Sequence, residues 1–249
     1  MVATLLHLPI SPWSERARWV LDHHGFAHTR VEHVPVIGER KLRRLVGRRD
    51  GPATVPVLID GDLVIADSWE IARHVERLGS GAPLLPEGRL DEVRRWTAVA
   101  DAAMQSGRAM AIAAMLRDPA ALDASMPPPM PGWVRRLLRP VNRQAMQWFA
   151  RKYGLSLADL APHAAQQREG LEAVRAGLAA SSPYLLGSFS YADIAAATLL
   201  QGVQPVADDL VPFDPATRAA WTQPALVREY ADLLSWRDEL YKKHRRRST

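Results

Sequence analysis

Cysteine is absent from all 249 residues. That excludes disulfide staples, thiolate-ligated metals and every mechanism built on a cysteine nucleophile. Long apolar runs are also missing; none approaches the roughly 20 residues that a membrane-crossing helix needs. The opening MVATLLHLPISPW lacks a basic stretch ahead of its short apolar segment, so no signal peptide is expected and a cytoplasmic location follows. Tyrosine does not occur before Tyr153. Histidine is present, but without metal-ligand spacing. His23 and His24 are adjacent and would point about 100° apart on a helix, so no metal site is expected.

What is present describes a globular chain, with 47% hydrophobic and 24% charged residues and room for one large domain or two small ones. The formal net charge is +5. Its arginines cluster at 40–49, at 135–139 and in the tail KKHRRR (242–247). Such clusters suit nucleic acid, anionic surfaces or small anions. The tail lacks the interleaved aromatics of a nucleic-acid platform, and a solvated basic end is the simpler reading.

The first eighty residues alternate strand and helix signals. TLLHL (4–8) predicts a buried strand. Residues 12–24 predict a helix with Trp13, Ala17, Val20 and Leu21 on one face and Gly25 at its end. A second strand is expected over 28–34, and a short basic helix over 38–47. TVPVLIDGDLVIADS (54–68) predicts a hairpin turning at Asp60-Gly61, a pair that suits a type I′ turn. The next helix carries an Asp67-x-x-Glu70 capping-box signature and closes at Gly79. The order β-α-β-α-β-β-α is that of a thioredoxin-like domain. GSGAPLLPEG reads as a linker, and only helical patterns follow, around 89–117, 135–153, 159–180, 191–204 and 224–241. Three consecutive prolines in SMPPPMPG (125–132) forbid helix there; the stretch is either a lid or a spacer. The expected organisation is an α/β domain over 1–80, a linker over 81–88 and an all-α bundle over 89–249.

Four stretches resemble one family. SPWS (11–14) sits where glutaredoxin-like folds carry Cys-Pro-x-Cys, at the start of the first helix. TVPVL places Val55-Pro56 where such folds keep a cis-proline. IADSWEIARHV is similar to their acidic residue–Ser–x–x–Ile segment, and GSFSYADIAAATLL to a buried helix-capping box of soluble glutathione transferases. Together, in family order and across both halves, they resemble the cytosolic glutathione S-transferase superfamily.

The resemblance implies a glutathione-dependent transferase of the serine type, commonly a homodimer serving detoxification. Helix N-termini offer unpaired N–H groups and partial positive charge, and a hydroxyl adds one more donor to a thiolate. Lowering a thiol pKa by two units takes about 3 kcal/mol of such preference. Ser11 is the implied donor and Ser14 the second candidate; plain N-capping accounts for a serine before proline as well. Arg18 either holds neighbouring backbone or charge, or is solvated. If the Val55–Pro56 bond is cis, the Val55 backbone can pair with an extended peptide such as glutathione. Asp67 and Ser68 suit the γ-glutamyl end, and Lys41 the glycyl carboxylate. Ser190 and Asp193 are read as structural caps. Met104 and Arg108 are placed in the electrophile pocket between the halves. No cysteine means no mixed disulfide with glutathione, and no early tyrosine means no tyrosine activator. Beside the enzyme stands a rival, a non-catalytic module of the same fold that binds ligands or assembles proteins, its basic clusters serving as contact surfaces.

Overall fold

In this computed structural model, which describes residues 2–47, 52–126 and 130–245, Ala3–His7 (β1) and Val57–Asp60 (β3) form the sheet centre. His28–Glu32 (β2) and Leu63–Ala66 (β4) flank them in the order β2-β1-β3-β4. β1 runs parallel to β2 and antiparallel to β3; β3 pairs antiparallel with β4. Leu5 and Leu58 face each other across the β1–β3 register and are fully buried. Pro12–His23 (α1) makes the crossover between the parallel strands, Glu39–Leu45 (α2) follows β2, and Ser68–Leu78 (α3) follows the hairpin. The β-α-β-α-β-β-α order is the expected one.

The hairpin turns one residue later than its Asp-Gly pair suggested. Asp60 pairs with Leu63, which leaves Gly61-Asp62 as the two-residue turn. Gly61 has φ +59°, whereas Asp62 is not among the positive-φ residues. A type I′ turn needs positive φ at both positions, so this turn, with glycine alone at positive φ, is not of that type.

The helical remainder comprises Leu90–Arg117 (α4), Pro119–Ala124 (α5), Gly132–Lys152 (α6), Ala161–Ser181 (α7), Tyr191–Leu199 (α8), Pro215–Trp221 (α9), Pro224–Glu229 (α10) and Ala231–His244 (α11). Two predicted helices are interrupted. A tighter turn at Leu200–Gly202 follows α8, and Tyr230 separates α10 from α11. The short α5 and α9, each opened by proline after a capping aspartate, carry too few turns to show periodicity. Of the proline-rich span, residues 127–129 lie outside the described residues.

α8 lies wholly within the core, with every residue from Tyr191 to Leu199 buried. Its start is held by the expected capping box. Asp193 accepts from the Ser190 backbone N–H at 2.8 Å and the Ser190 hydroxyl at 3.0 Å, and also from the Leu185 N–H at 2.8 Å. Burial raises the Asp193 carboxyl to about 6. α1 differs from its one-faced prediction. It lies against α3 on one side and α8 on another, and Ser14, Glu15, Arg16 and Arg18 are buried along with its apolar residues. Gly79 permits the α1–α3 approach; a Cβ there would stand 2.4 Å from the Cβ of His24.

The basic tail is partly docked. Arg245 donates to Glu15 at 2.7 Å and to Asp22 at 2.5 Å, and His244 stacks on Phe189 with ring centroids 3.8 Å apart. The part of the tail beyond Arg245 lies outside the described residues.

Asp193→Ala strands three buried donors, each costing about 1–3 kcal/mol. The expected loss is at least about 3 kcal/mol of unfolding free energy, read from the urea midpoint.

Candidate active site

α1 begins at Pro12, a residue whose fixed φ and missing N–H suit the first helical turn. Ser11 is its N-cap, and the Ser14 N–H donates to Ser11 Oγ at 3.3 Å. Because Oγ accepts in this contact, its own O–H remains a donor. Ser14 faces the other way. It is fully buried, and its Oγ accepts the Leu8 N–H at 3.2 Å. The two serines therefore have different surroundings, one in the wall of a cavity and one beneath the β1–α1 loop.

Arg18 braces the same loop. Only 4% exposed, it donates to the Pro9 carbonyl at 2.8 Å and contacts His7 Nδ1 at 2.8 Å, while Glu15 accepts from its Nε at 2.8 Å. Burial, and then the Arg18 charge, hold the His7 imidazole down at about 4.

The cavity has a volume of about 1200 Å³, above the usual range for one small ligand. Ser11, Val55, Pro56 and Asp67 line its sheet side. The Val55–Pro56 bond is cis, Val55 lies outside the β3 register, and the Pro56 carbonyl accepts the Asp67 N–H at 3.2 Å. Asp67 has φ +80° and caps α3 by accepting the Trp69 N–H at 2.8 Å. The reciprocal Glu70 half of that capping box is not formed; Glu70 pairs with Arg73.

The opposite wall comes from α4, α5, α6 and α9. Ile112, Met115, Leu138, Met146, Phe149 and Trp221 supply apolar surface. Ser125 and Met126, just before the prolines, also line it and are tied to α6: Asn142 donates to the Leu122 carbonyl and to Ser125 Oγ.

The remaining sequence-predicted residues are distributed unequally. Arg108 lines the cavity. Ser68 is buried under the start of α3, Lys41 is exposed on α2, and Met104 is fully buried in the helical core; none of these three is in the lining. Sequence reasoning missed Asp101 and Tyr153. Asp101 accepts from Trp13 Nε1 at 2.9 Å and from the buried Arg16 at 2.5 Å. Nothing local links residues 13, 16 and 101. Among the described residues no His/Asp/Glu cluster suited to a metal occurs, and no helix is long and apolar enough to cross a membrane.

Residues 5–83 match the family described as "Glutathione S-transferase, N-terminal domain". No curated protein matches the chain. Solved structures similar to it over its whole length include a glutathione S-transferase from Ceriporiopsis subvermispora in complex with glutathione, 18% identical, TM-score 0.65, covering 100% of this chain and 99% of that one. Another is from Methylobacillus flagellatus with glutathione bound, 19% identical, TM-score 0.62, covering 97% and 95%. A third, from Pseudomonas fluorescens with bound glutathione, is 20% identical, TM-score 0.61, covering 97% and 95%. At these identities the likeness carries the fold.

The His7 site predicts an acid-sensitive loop. Its native value lies below the ordinary 6.5, so an unfolded chain takes up a proton that the native protein refuses. Stability from this source is whole above pH 6.5 and falls as pH drops from there toward 4. His7→Gln keeps an acceptor for Arg18 and should flatten that fall, seen by comparing urea midpoints of both proteins across the interval.

Proposed function

We propose that this chain, whose residues 5–83 belong to the glutathione S-transferase N-terminal domain family and whose whole length takes that superfamily's fold, binds glutathione and transfers its thiol to an electrophile. The observation that carries the reading is the convergence of Ser11, Val55 and Asp67 on the wall of one cavity, opposite an apolar surface. In this reading the α/β part (1–80) binds glutathione, and the helices beyond the linker supply the electrophile pocket.

The thiol sulfur lies at the N-terminus of α1. There the Ser11 hydroxyl donates to the thiolate while its oxygen keeps the Ser14 N–H, so capping and catalysis use one group in two directions. Ser11 stays protonated throughout. The extended peptide pairs with the Val55 backbone as an added strand. Asp67 faces the γ-glutamyl ammonium, and the first N–H groups of α3 face its carboxylate. The thiolate then attacks an electrophilic carbon. A carbon–sulfur bond forms and either the carbon–leaving-group bond breaks, releasing an anion, or an activated double bond takes up a proton from solvent. Peroxide reduction and isomerisation would begin from the same thiolate. The reading includes a cytoplasmic homodimer.

A hydrogen bond to a charged group contributes about 1.5–3 kcal/mol, which is about one to two pKa units. Ser11→Ala is therefore expected to raise the pKa of bound glutathione by about one to two units. Ultraviolet thiolate absorbance across a pH titration reads it. Failure of glutathione to bind at millimolar concentration would replace the enzyme reading with the non-catalytic one. Binding with an unmoved thiol pKa would remove Ser11 from its role.

A further inference from the structure

Arg108 is 9% exposed, midway along α4 and on the cavity wall. Its guanidinium lies 3.8 Å from the Tyr153 ring centroid and 4.6 Å from that of Trp13. Its in-plane contact with protein is a donation to Gln105 Oε1. Among the described residues the buried Nε has no hydrogen-bond partner and no carboxylate forms an ion pair with Arg108; the Asp101 charge acts on it from the same wall while being bonded to Arg16 and Trp13.

The carboxylates of the same wall are engaged elsewhere. Asp101 holds Arg16 and Trp13, Asp67 caps α3, and Asp214 caps α9 through the Ala216 N–H. Glu32 is exposed at the end of β2. Arg135 of α6, also in the lining, has a buried Nε without a partner among the described residues, and it gives an N–H to the Asp123 carbonyl.

A buried cation without a counter-charge is costly, and proteins ordinarily pair it. Burial lowers the Arg108 value to about 10, which still leaves it charged at neutral pH. Two aromatic rings lie against the guanidinium carbon, and the group's planar N–H pairs suit a carboxylate's two oxygens.

We propose that Arg108 is the anion-binding residue of the electrophile pocket, and that the preferred co-substrates are apolar or aromatic electrophiles bearing a carboxylate. As a statement about the electrophile it rests on the transferase reading; as a statement about a carboxylate subsite it does not. The carboxylate docks against the Arg108 edge, and the apolar body lies along Ile112, Met146 and Phe149. Trp13, two residues from Ser11, serves both sites, stacking on the arginine while its indole N–H holds Asp101.

The test is calorimetric titration of the full chain, without glutathione, with para-nitrobenzoate and with its neutral match para-nitrobenzamide. Wild type should bind the carboxylate at least about tenfold more tightly than the amide. Arg108→Met should abolish that preference while leaving amide affinity unchanged. Arg108→Lys keeps the charge but loses the planar fork, so it should retain only part of the preference, and it decides the matter if the methionine variant does not fold. Equal binding of both probes to wild type, or an undiminished preference in either variant, overturns the proposal. A separate glutathione titration distinguishes the two readings. If wild type shows the carboxylate preference but binds no glutathione, the subsite stands and the transferase reading falls.

Discussion

The cavity depends on one buried arginine. Arg16, fully enclosed, sends Nε to the Thr198 hydroxyl at 2.8 Å and one terminal nitrogen to Asp101 at 2.5 Å; the other reaches the Ala195 carbonyl at 3.4 Å. Three helices thus meet on one planar group: α1 carries it, α4 provides the carboxylate and α8 provides the hydroxyl and carbonyl. Taking a guanidinium out of water is expensive, and the expense is offset only if every edge finds a partner in good geometry. The same fork geometry fixes where the helices stand. Because Asp101 also holds the Trp13 indole, the clamp sets the first turn of α1, and with it the Ser11 end of the cavity, against the helical wall.

A second polar assembly fixes the loop that leads into that turn. Glu15 binds Arg18 on one oxygen and Arg245 on the other, and Arg18 in turn binds the carbonyls of the β1–α1 loop. α1 is consequently a buried helix with charged residues on its inner sides, each matched by a partner from a different segment. An all-apolar α1 would pack, but it would leave the Pro9 carbonyl without the Arg18 donor that now holds it; the Leu8 carbonyl would keep the Ser11 N–H. The arrangement explains why the helix that presents Ser11 is so polar while being among the most enclosed.

How much was legible follows from where partners lie in the chain. Local features were readable. The strand–helix order, the Ser190/Asp193 capping box and Ser11 before Pro12 need only neighbours a few residues away. The hairpin was readable in existence but not in register, because Asp-Gly and Gly-Asp turns compete within Asp60-Gly61-Asp62 and cross-strand pairing decides between them. Two-sided burial of α1 was not readable. Glu15, Arg16 and Arg18 look like a solvated face until residues 101, 198 and 245 are brought to them, and no spacing encodes that. Arg108 was named as a pocket residue, but its lack of an ion pair among the described residues is a property of the assembled wall. Met104 illustrates the converse. Methionine suits pocket lining and core alike, and only packing against Gly202 shows that its place is core.

The relation between Ser11 and Ser14 then follows from these constraints. Both lie at the mouth of one helix and both are small hydroxyls, so composition cannot separate them. The brace does. Ser14 Oγ is occupied by the Leu8 N–H and closed off from the cavity, which commits it to holding the loop. Among the described residues Ser11 Oγ accepts one long contact, from the Ser14 N–H, and donates to none, and Ser11 lines the cavity. A helix N-terminus repels a cation and favours an anion at that position. In the proposed reading, the choice between the serines is thus made by the residues that hold Leu8 and Pro9, chiefly Arg18, and not by the serines themselves.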